Sequence, residues 1–413
     1  MPVIKKNRVR PMAPGHISEG GIFRFLLCII CLVFVAGYFY PAPVSAAAPG
    51  YWPIGALLDL TGPGKVKGAE QYDAMMLAIQ DINSQGGVKG RLLDLSVFDT
   101  RGDKGELLAG AERLRRDHHA LLLLGPTNAA NVAVLRSYAE SKKIPVILIQ
   151  GQEPLIKSRK LRTYWTFATT VNFDAELKAL FSYFRKKRCK FLGGLLENSP
   201  ESRKIALWIR GYSPEYGLKI QCFGAFNPNQ EDIGLKIRQL NRCEPDIAIL
   251  WGNWQIAPLI QANLPVLQVP LAISHHVFFH YPSALQIPAT SLIYAALPPV
   301  LFWQGIPGGT TTAFLVARFL NAWGQDAFQD LPVEQQLAVA QAWDGIHLAA
   351  RGIAFSYRVR SAVIRESIEQ KIPPFVGVTG TYSPDKRNHS KLLPGSLITI
   401  RCMGARWSAV KNR

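Results

Sequence analysis

Beyond its first fifty residues this 413-residue chain has no apolar run long enough to cross a membrane and no C-x-x-C pair. It also has no G-x-S-x-G elbow and no repeat at a period of roughly 20–50 residues. The missing C-x-x-C removes the usual spacing for a zinc site. The missing elbow removes the sequence mark of a serine hydrolase, and the missing repeat excludes solenoids and propellers. Acidic residues are scarce, 29 against 47 basic ones, for a formal net charge of +18. Such a surface suits nucleic acid, an anionic membrane or an acidic partner. The basic residues are scattered, however. Their one local cluster, Arg185 to Lys190, lies between an amphipathic helical stretch and an apolar run, as a solvated helix end does. No nucleic-acid-binding module accompanies the charge, so no nucleic-acid partner is expected. Charged residues make up only 18% of the chain and apolar ones 48%, which excludes disorder and implies a packed core.

The N-terminus is the exception to the missing apolar run. Lys5, Lys6, Arg8, Arg10 and Arg24 precede Phe25 to Gly37, and Val44-Ser45-Ala46-Ala47-Ala48 follows. A basic head, an apolar middle and small residues at the end make residues 1–48 an export signal. The alternative is an uncleaved anchor, since residues 22–40 nearly reach the ~20 residues a spanning helix needs. Removing residues 1–50 takes away five basic side chains and one acid, leaving +14. Four cysteines remain: Cys189, Cys222, Cys243 and Cys402. An oxidising compartment permits disulfides among them, and buried free thiols are the other reading; spacing does not give a pairing.

About 360 residues exceed what one compact core holds, so two lobes are expected. Apolar runs at 54–58, 92–98, 120–124, 145–149, 191–196, 218–224, 246–251 and 267–273 alternate with helical patterns. Those patterns lie at 68–84, 105–116, 128–142, 174–186, 201–213, 231–242 and 254–263. This alternation predicts a parallel sheet in each lobe. After about residue 310 come helices near 311–324, 334–356 and 359–370, then a two-stranded ending at 380–383 and 397–402.

Residues 53–98 say most about function. Ile54 to Leu58 read as a strand that meets Thr61-Gly62-Pro63-Gly64. Ala69, Tyr72, Met75, Met76, Ala78 and Ile79 then recur at helical spacing, and Gly86-Gly87 precedes a second strand, Leu92 to Phe98. In open α/β sheets the loop at the carboxyl end of such a strand is where ligands bind. The order of Thr61-Gly62-Pro63, a helix ending Asp81-Ile82-Asn83, and Gly86-Gly87-Val88-Lys89-Gly90-Arg91 resembles the periplasmic leucine/isoleucine/valine-binding proteins that feed ABC importers. The resemblance continues through Leu124-Gly125-Pro126, Lys143 to Ile147, Ala342-Trp343-Asp344-Gly345 and Val378 to Asp385, from residue 52 to about 390.

That resemblance implies an α/β chain of two doubly wound parallel-sheet lobes joined by three hinge crossings, near Thr169-Thr170, Pro298-Pro299 and Pro373 to Val376. Lobe 1 would comprise 49–169 plus 299–374, and lobe 2 would comprise 170–298 plus 375–413. It implies a monomer outside the cytoplasm that takes a small polar ligand, an amino acid or related amide or carboxylate, to an ABC permease in the inner membrane. No cofactor, metal or catalytic residue is expected. The alternative is a sensing or accessory module on the same fold.

The resemblance also carries candidate residues. A free amino acid needs N–H and hydroxyl donors for its carboxylate and acceptors for its ammonium. Thr127, with Asn128 beside it, corresponds to the turn that grips the carboxylate; helix capping is the other reading of both. Gln150 and Gln152 replace smaller residues after the next strand and make the pocket more polar. Glu201 falls where the family has an aromatic residue and would face a cation, or else cap its helix. Asn253 and Trp254 occupy a further cleft segment, and His275, in Ser274-His275-His276, stands where an acid is common. Adjacent histidines on extended chain point apart, which argues against a metal. Lys65, Lys67 and Gln71 predict a ligand more anionic or more polar than leucine.

Overall fold

The computed structural model describes residues 50–151, 164–227, 233–252, 256–280, 292–403 and 406–410, and these belong to one compact unit spanning Gly50–Arg413. Its first sheet holds β1 (Tyr51–Leu58), β2 (Leu92–Asp99), β3 (Leu123–Gly125), β4 (Val146–Leu148) and β5 (Thr166–Ala168). They lie in the order β2-β1-β3-β4-β5, all parallel. β1 is buried without interruption from Ile54 to Leu58, as a parallel strand covered on both faces must be.

The helices of this half are α1 (Lys65–Ser84), α2 (Lys104–Arg116) and α3 (Val132–Lys142). The buried face of α1 is Gln71, Ala74, Met75, Ala78, Ile79 and Ile82. That is a correction to the sequence reading, because Ala69 and Met76 are exposed and a glutamine replaces them inside. Gly68 fixes how close the first turn of α1 comes to β1: a Cβ there would sit 1.9 Å from the Asp59 carbonyl oxygen.

From β5 the chain enters the second half through α4 (Phe173–Lys186), β6 (Phe191–Glu197), α5 (Pro200–Tyr212), β7 (Lys219–Phe226), α6 (Ile233–Arg242) and β8 (Ile247–Trp251). α7 (Ala257–Asn263), β9 (Leu271–Ile273), α8 (His275–His280) and β10 (Ile293–Leu297) follow. The chain then returns through α9 (Thr311–Trp323), α10 (Gln325–Asp330) and the long α11 (Val333–Ala354), of which α9 and α11 pack on α1, with α12 (Ser361–Gln370) after them. β11 (Phe375–Val376), β12 (Thr381–Tyr382), β13 (Ile398–Met403) and β14 (Arg406–Ala409) end the described chain.

The second sheet has the order β14-β13-β10-β9-β8-β6-β7. Strands β6 to β10 are parallel, and β13 and β14 add an antiparallel edge. The expected two-stranded ending is therefore corrected: β12 pairs with β11, and β13 joins the large sheet. β5 and β10 lay outside the predicted strands, and α8 replaces the expected extended histidine pair. Both sheets reverse their strand order, between β1 and β3 and between β6 and β8. Open α/β sheets bind ligands at such points.

Candidate functional site

The loops at the carboxyl ends of both sheets converge with α11 around a cavity of about 470 Å³. The first sheet supplies Gln150 and Gly151 after β4 and Thr170 and Val171 after β5; the second supplies Glu201, His275 and His276. α11 closes one wall with Glu334, Leu337, Ala338 and Gln341. Gln341 is itself a clamp between loops, its amide donating to the Ile149 carbonyl (3.0 Å) and accepting from the Val171 N–H (3.2 Å). Gly151 has φ +83°, and a Cβ there would meet Val132 Cγ2 at 2.8 Å, so the turn that presents Gln150 requires glycine.

Three of the eight sequence candidates, Gln150, Glu201 and His275, meet at this cavity. Gln152, Asn253 and Trp254 lie outside the described residues. Thr127 is buried beside the cavity, and its hydroxyl is already engaged: it accepts from the Asp59 N–H (3.2 Å) and donates to Gln71 Oε1 (2.7 Å). Asn128 is exposed and its side chain accepts from the Ala130 N–H at 3.0 Å. Neither lines the cavity. Glu201 does not cap its helix, because Ser199 takes that role through the Ser202 N–H at 3.1 Å. Glu201 is exposed in the open cleft, yet desolvation by the surrounding protein raises its carboxyl; Lys204 opposes this and Glu197 adds to it.

The basic side chains named from sequence do not build an anion site. Lys67 is paired with Glu334 at 2.5 Å, Gln71 is buried beneath Thr127, and Lys65 is exposed and not part of the lining. Among the described residues the lining carries two carboxylates, Glu201 and Glu334, and no lysine or arginine.

Two features were missed by sequence reasoning. Thr170 is 2% exposed, lines the cavity, and its hydroxyl has no hydrogen-bond partner among the described residues. A buried hydroxyl without a partner costs about 1–3 kcal/mol, so a ligand atom there would relieve a standing penalty. The second is Glu176, in the first turn of α4 and fully buried. Its carboxyl takes the backbone N–H of His275 (2.7 Å) and meets His275 Nδ1 (2.7 Å). Burial raises Glu176 well above the ordinary carboxylate range and lowers His275 to about 3. Both effects disfavour charge, so the pair is a carboxylic acid donating to a neutral imidazole, with the ring proton on Nε2. Phe173 packs on both histidines (5.3 and 5.0 Å), whose rings meet edge to face at 4.4 Å because α8 begins here. Glu176 shares the buried stripe of Phe173, Leu177, Leu180 and Phe184. An acid on an apolar stripe was the available signal.

Residues 52–394 match the periplasmic binding protein family. The chain belongs to that family. A Pseudomonas aeruginosa leucine-, isoleucine-, valine-, threonine- and alanine-binding protein is 22% identical over 183 residues, 44% of this chain and 48% of that one. The match thus spans about half the length of this curated relative. Among solved structures, a putative branched-chain amino acid ABC transporter protein from Rhodospirillum rubrum superposes with TM-score 0.70 at 16% identity, covering 87% of this chain and 100% of the other. An extracellular ligand-binding receptor from Rhodopseudomonas palustris HaA2 gives TM-score 0.64 at 17% identity, covering 88% and 100%. At such identities the structures establish the fold, that of type I periplasmic binding proteins with two parallel-sheet lobes. Among the described residues of this periplasmic binding protein, no cluster of metal-ligating side chains occurs and no helix is long and apolar enough to cross a membrane.

Proposed function

We propose that the protein is an extracytoplasmic receptor that captures a small polar solute between its lobes and delivers it to an ABC importer. The observation that carries this reading is the cavity where Gln150, Thr170, Glu201 and His275 meet from both sheets. An amino acid or related amide fits the lining chemistry. Its amino end faces Glu201, and its carboxylate or amide end takes the Thr170 hydroxyl and the Gln150 amide. Thr127 and Asn128 hold the neighbouring loop. In this reading the lobes are 49–169 plus 299–374 and 170–298 plus 375–413, and closure turns on the three crossings. These are already tied together: Val300 N–H donates to Val378 O (3.1 Å), Thr169 Oγ1 to Gln341 O (2.9 Å), and Tyr382 Oη to Thr169 O (2.7 Å).

A thermal-shift screen of the full chain against amino acids, amides, small carboxylates and urea tests the reading. A ligand at 100 times its dissociation constant adds about 2.7 kcal/mol of stability. Glu201→Gln is expected to weaken an amino-bearing ligand about tenfold, a loss of ~1.4 kcal/mol. Equal affinity of the parent and Glu201→Gln would remove Glu201 from the site, and silence from every compound would sink the receptor reading.

A further inference from the structure

Spacing leaves the four cysteines unpaired, but the second sheet brings two of them together. β7 is the edge strand, and Cys222 on it is the register partner of Gly193 on β6. Partners in a parallel pair present their side chains to the same face. At Gly193 that face is covered by the turn after α6: a Cβ there would meet Leu240 Cδ1 at 2.7 Å and Pro245 Cγ at 2.8 Å. Cys243 sits in this turn. Its N–H donates to Leu240 O at 3.1 Å, and its carbonyl accepts from the side chain of Gln221, the residue beside Cys222. Held from both ends, Cys243 is fixed beside Cys222 of the adjoining strand, and burial first, then the neighbouring Cys243, push the Cys222 thiol up. Both cysteines are only half-buried, so an external oxidant has access.

The other two thiols lie away from this pair. Cys402 is buried on β13, toward the opposite edge of the same sheet. Cys189 precedes β6 and lies four residues from Gly193, roughly 13 Å along the strand direction. Cα atoms more than about 7 Å apart cannot be bridged without moving the backbone.

We propose that Cys222 and Cys243 form a disulfide that fastens the edge strand of the second sheet to the end of α6. The two thiols pass two electrons and two protons to an incoming disulfide, that of oxidised glutathione or of an oxidised dithiol oxidoreductase, which leaves as two thiols. In the cell the bond rests on the extracytoplasmic location proposed above; in the tube it rests on geometry alone.

The test is the intact mass and thiol count of residues 50–413, the compact unit that carries four of the six cysteines, after treatment with oxidised glutathione, and of the same mature chain recovered without reductant from an oxidising export compartment. The expected result is a mass lower by about 2 Da, two of the four mature-chain thiols lost to alkylation, and a peptide joining 222 to 243. Either Cys222→Ser or Cys243→Ser is expected to abolish that peptide, and reduction of the parent to lower its melting temperature by roughly 5 °C. Four free thiols after glutathione, or a bond between any other pair, would overturn the proposal. A bond made by glutathione but missing from the exported chain would overturn the oxidising compartment and leave the pairing standing.

Discussion

Exchanging Glu176 for glutamine is expected to leave the unfolding free energy within about 1 kcal/mol of the parent near pH 4, where the unfolded glutamate is protonated too, while alanine is expected to cost about 3–5 kcal/mol. The contrast follows from the protonation of the buried pair. A protonated Glu176 offers one acceptor, to the His275 N–H, and one donor, to Nδ1. A glutamine amide offers the same two groups in nearly the same volume. Alanine leaves a cavity and strands both His275 atoms at a position where they have no water. The pH dependence separates the two side chains further. Glu176 is raised above its ordinary 4.5, so in the parent its contribution to stability falls as pH rises above about 4.5. His275 is lowered from 6.5 to about 3, so its contribution rises from about pH 3 to 6.5 and is then complete. Glu176→Gln retains only the second slope, and its stability relative to the parent should grow with pH. Urea unfolding across pH 4–8 measures both. If glutamine proved as damaging as alanine, the pair would instead be an ionised carboxylate receiving Nδ1–H.

The alternation of strands and helices was legible in the sequence because parallel strands covered on both faces are unbroken apolar runs, as Ile247 to Trp251 is. The strand Thr166 to Ala168 was not: it gives three residues, two of them small, with no period to read. The histidine pair misled because extended chain was assumed, whereas α8 begins at His275 and rotates the rings into contact. At the site, loop position was readable and side-chain engagement was not. Thr127 has the right residue type in the right turn, but only tertiary structure shows its hydroxyl engaged by Asp59 and Gln71. Charge near the cleft likewise depended on pairing, since Lys67 faces Glu334 from 267 residues away in sequence. Thr170 looked like a hinge residue, and its unpartnered hydroxyl emerges only once the neighbouring loops are in place.

Asp344 is expected to make the protein lose stability as pH rises from about 4 to about 6, by roughly 3 kcal/mol, and Asp344→Asn or Asp344→Ala to abolish that slope. The residue is buried in α11 and accepts from the N–H groups of Val378 (2.9 Å) and Thr379 (2.9 Å). Burial raises its carboxyl from 3.8 to about 6, against the opposing pull of those hydrogen bonds. Between those values the folded state holds a proton that the unfolded state has lost, so stability must fall with rising pH. Counting hydrogens agrees with this. Asp344 Oδ2 contacts Thr379 Oγ1, Thr379 Oγ1 contacts Tyr382 Oη (2.7 Å), and Tyr382 Oη contacts Thr169 O (2.7 Å). These three oxygen–oxygen contacts need three hydrogens, and threonine and tyrosine supply two. Protonated Asp344 supplies the third, giving a relay from the carboxylic acid through both hydroxyls to the carbonyl at the first crossing. When Asp344 ionises, Thr379 turns its hydrogen to the carboxylate and the threonine–tyrosine contact is left without one. Tyr382→Phe removes that conflict, so in this variant the pH slope should shrink even though a hydrogen bond to Thr169 is lost. Alanine at 344 strands the Val378 and Thr379 donors and should cost about 3–5 kcal/mol at any pH. Unfolding curves of the parent and the three variants between pH 4 and 8 decide the matter. A parent slope that persists in Asp344→Asn would place the titrating group elsewhere, and a slope unchanged in Tyr382→Phe would rule out the relay.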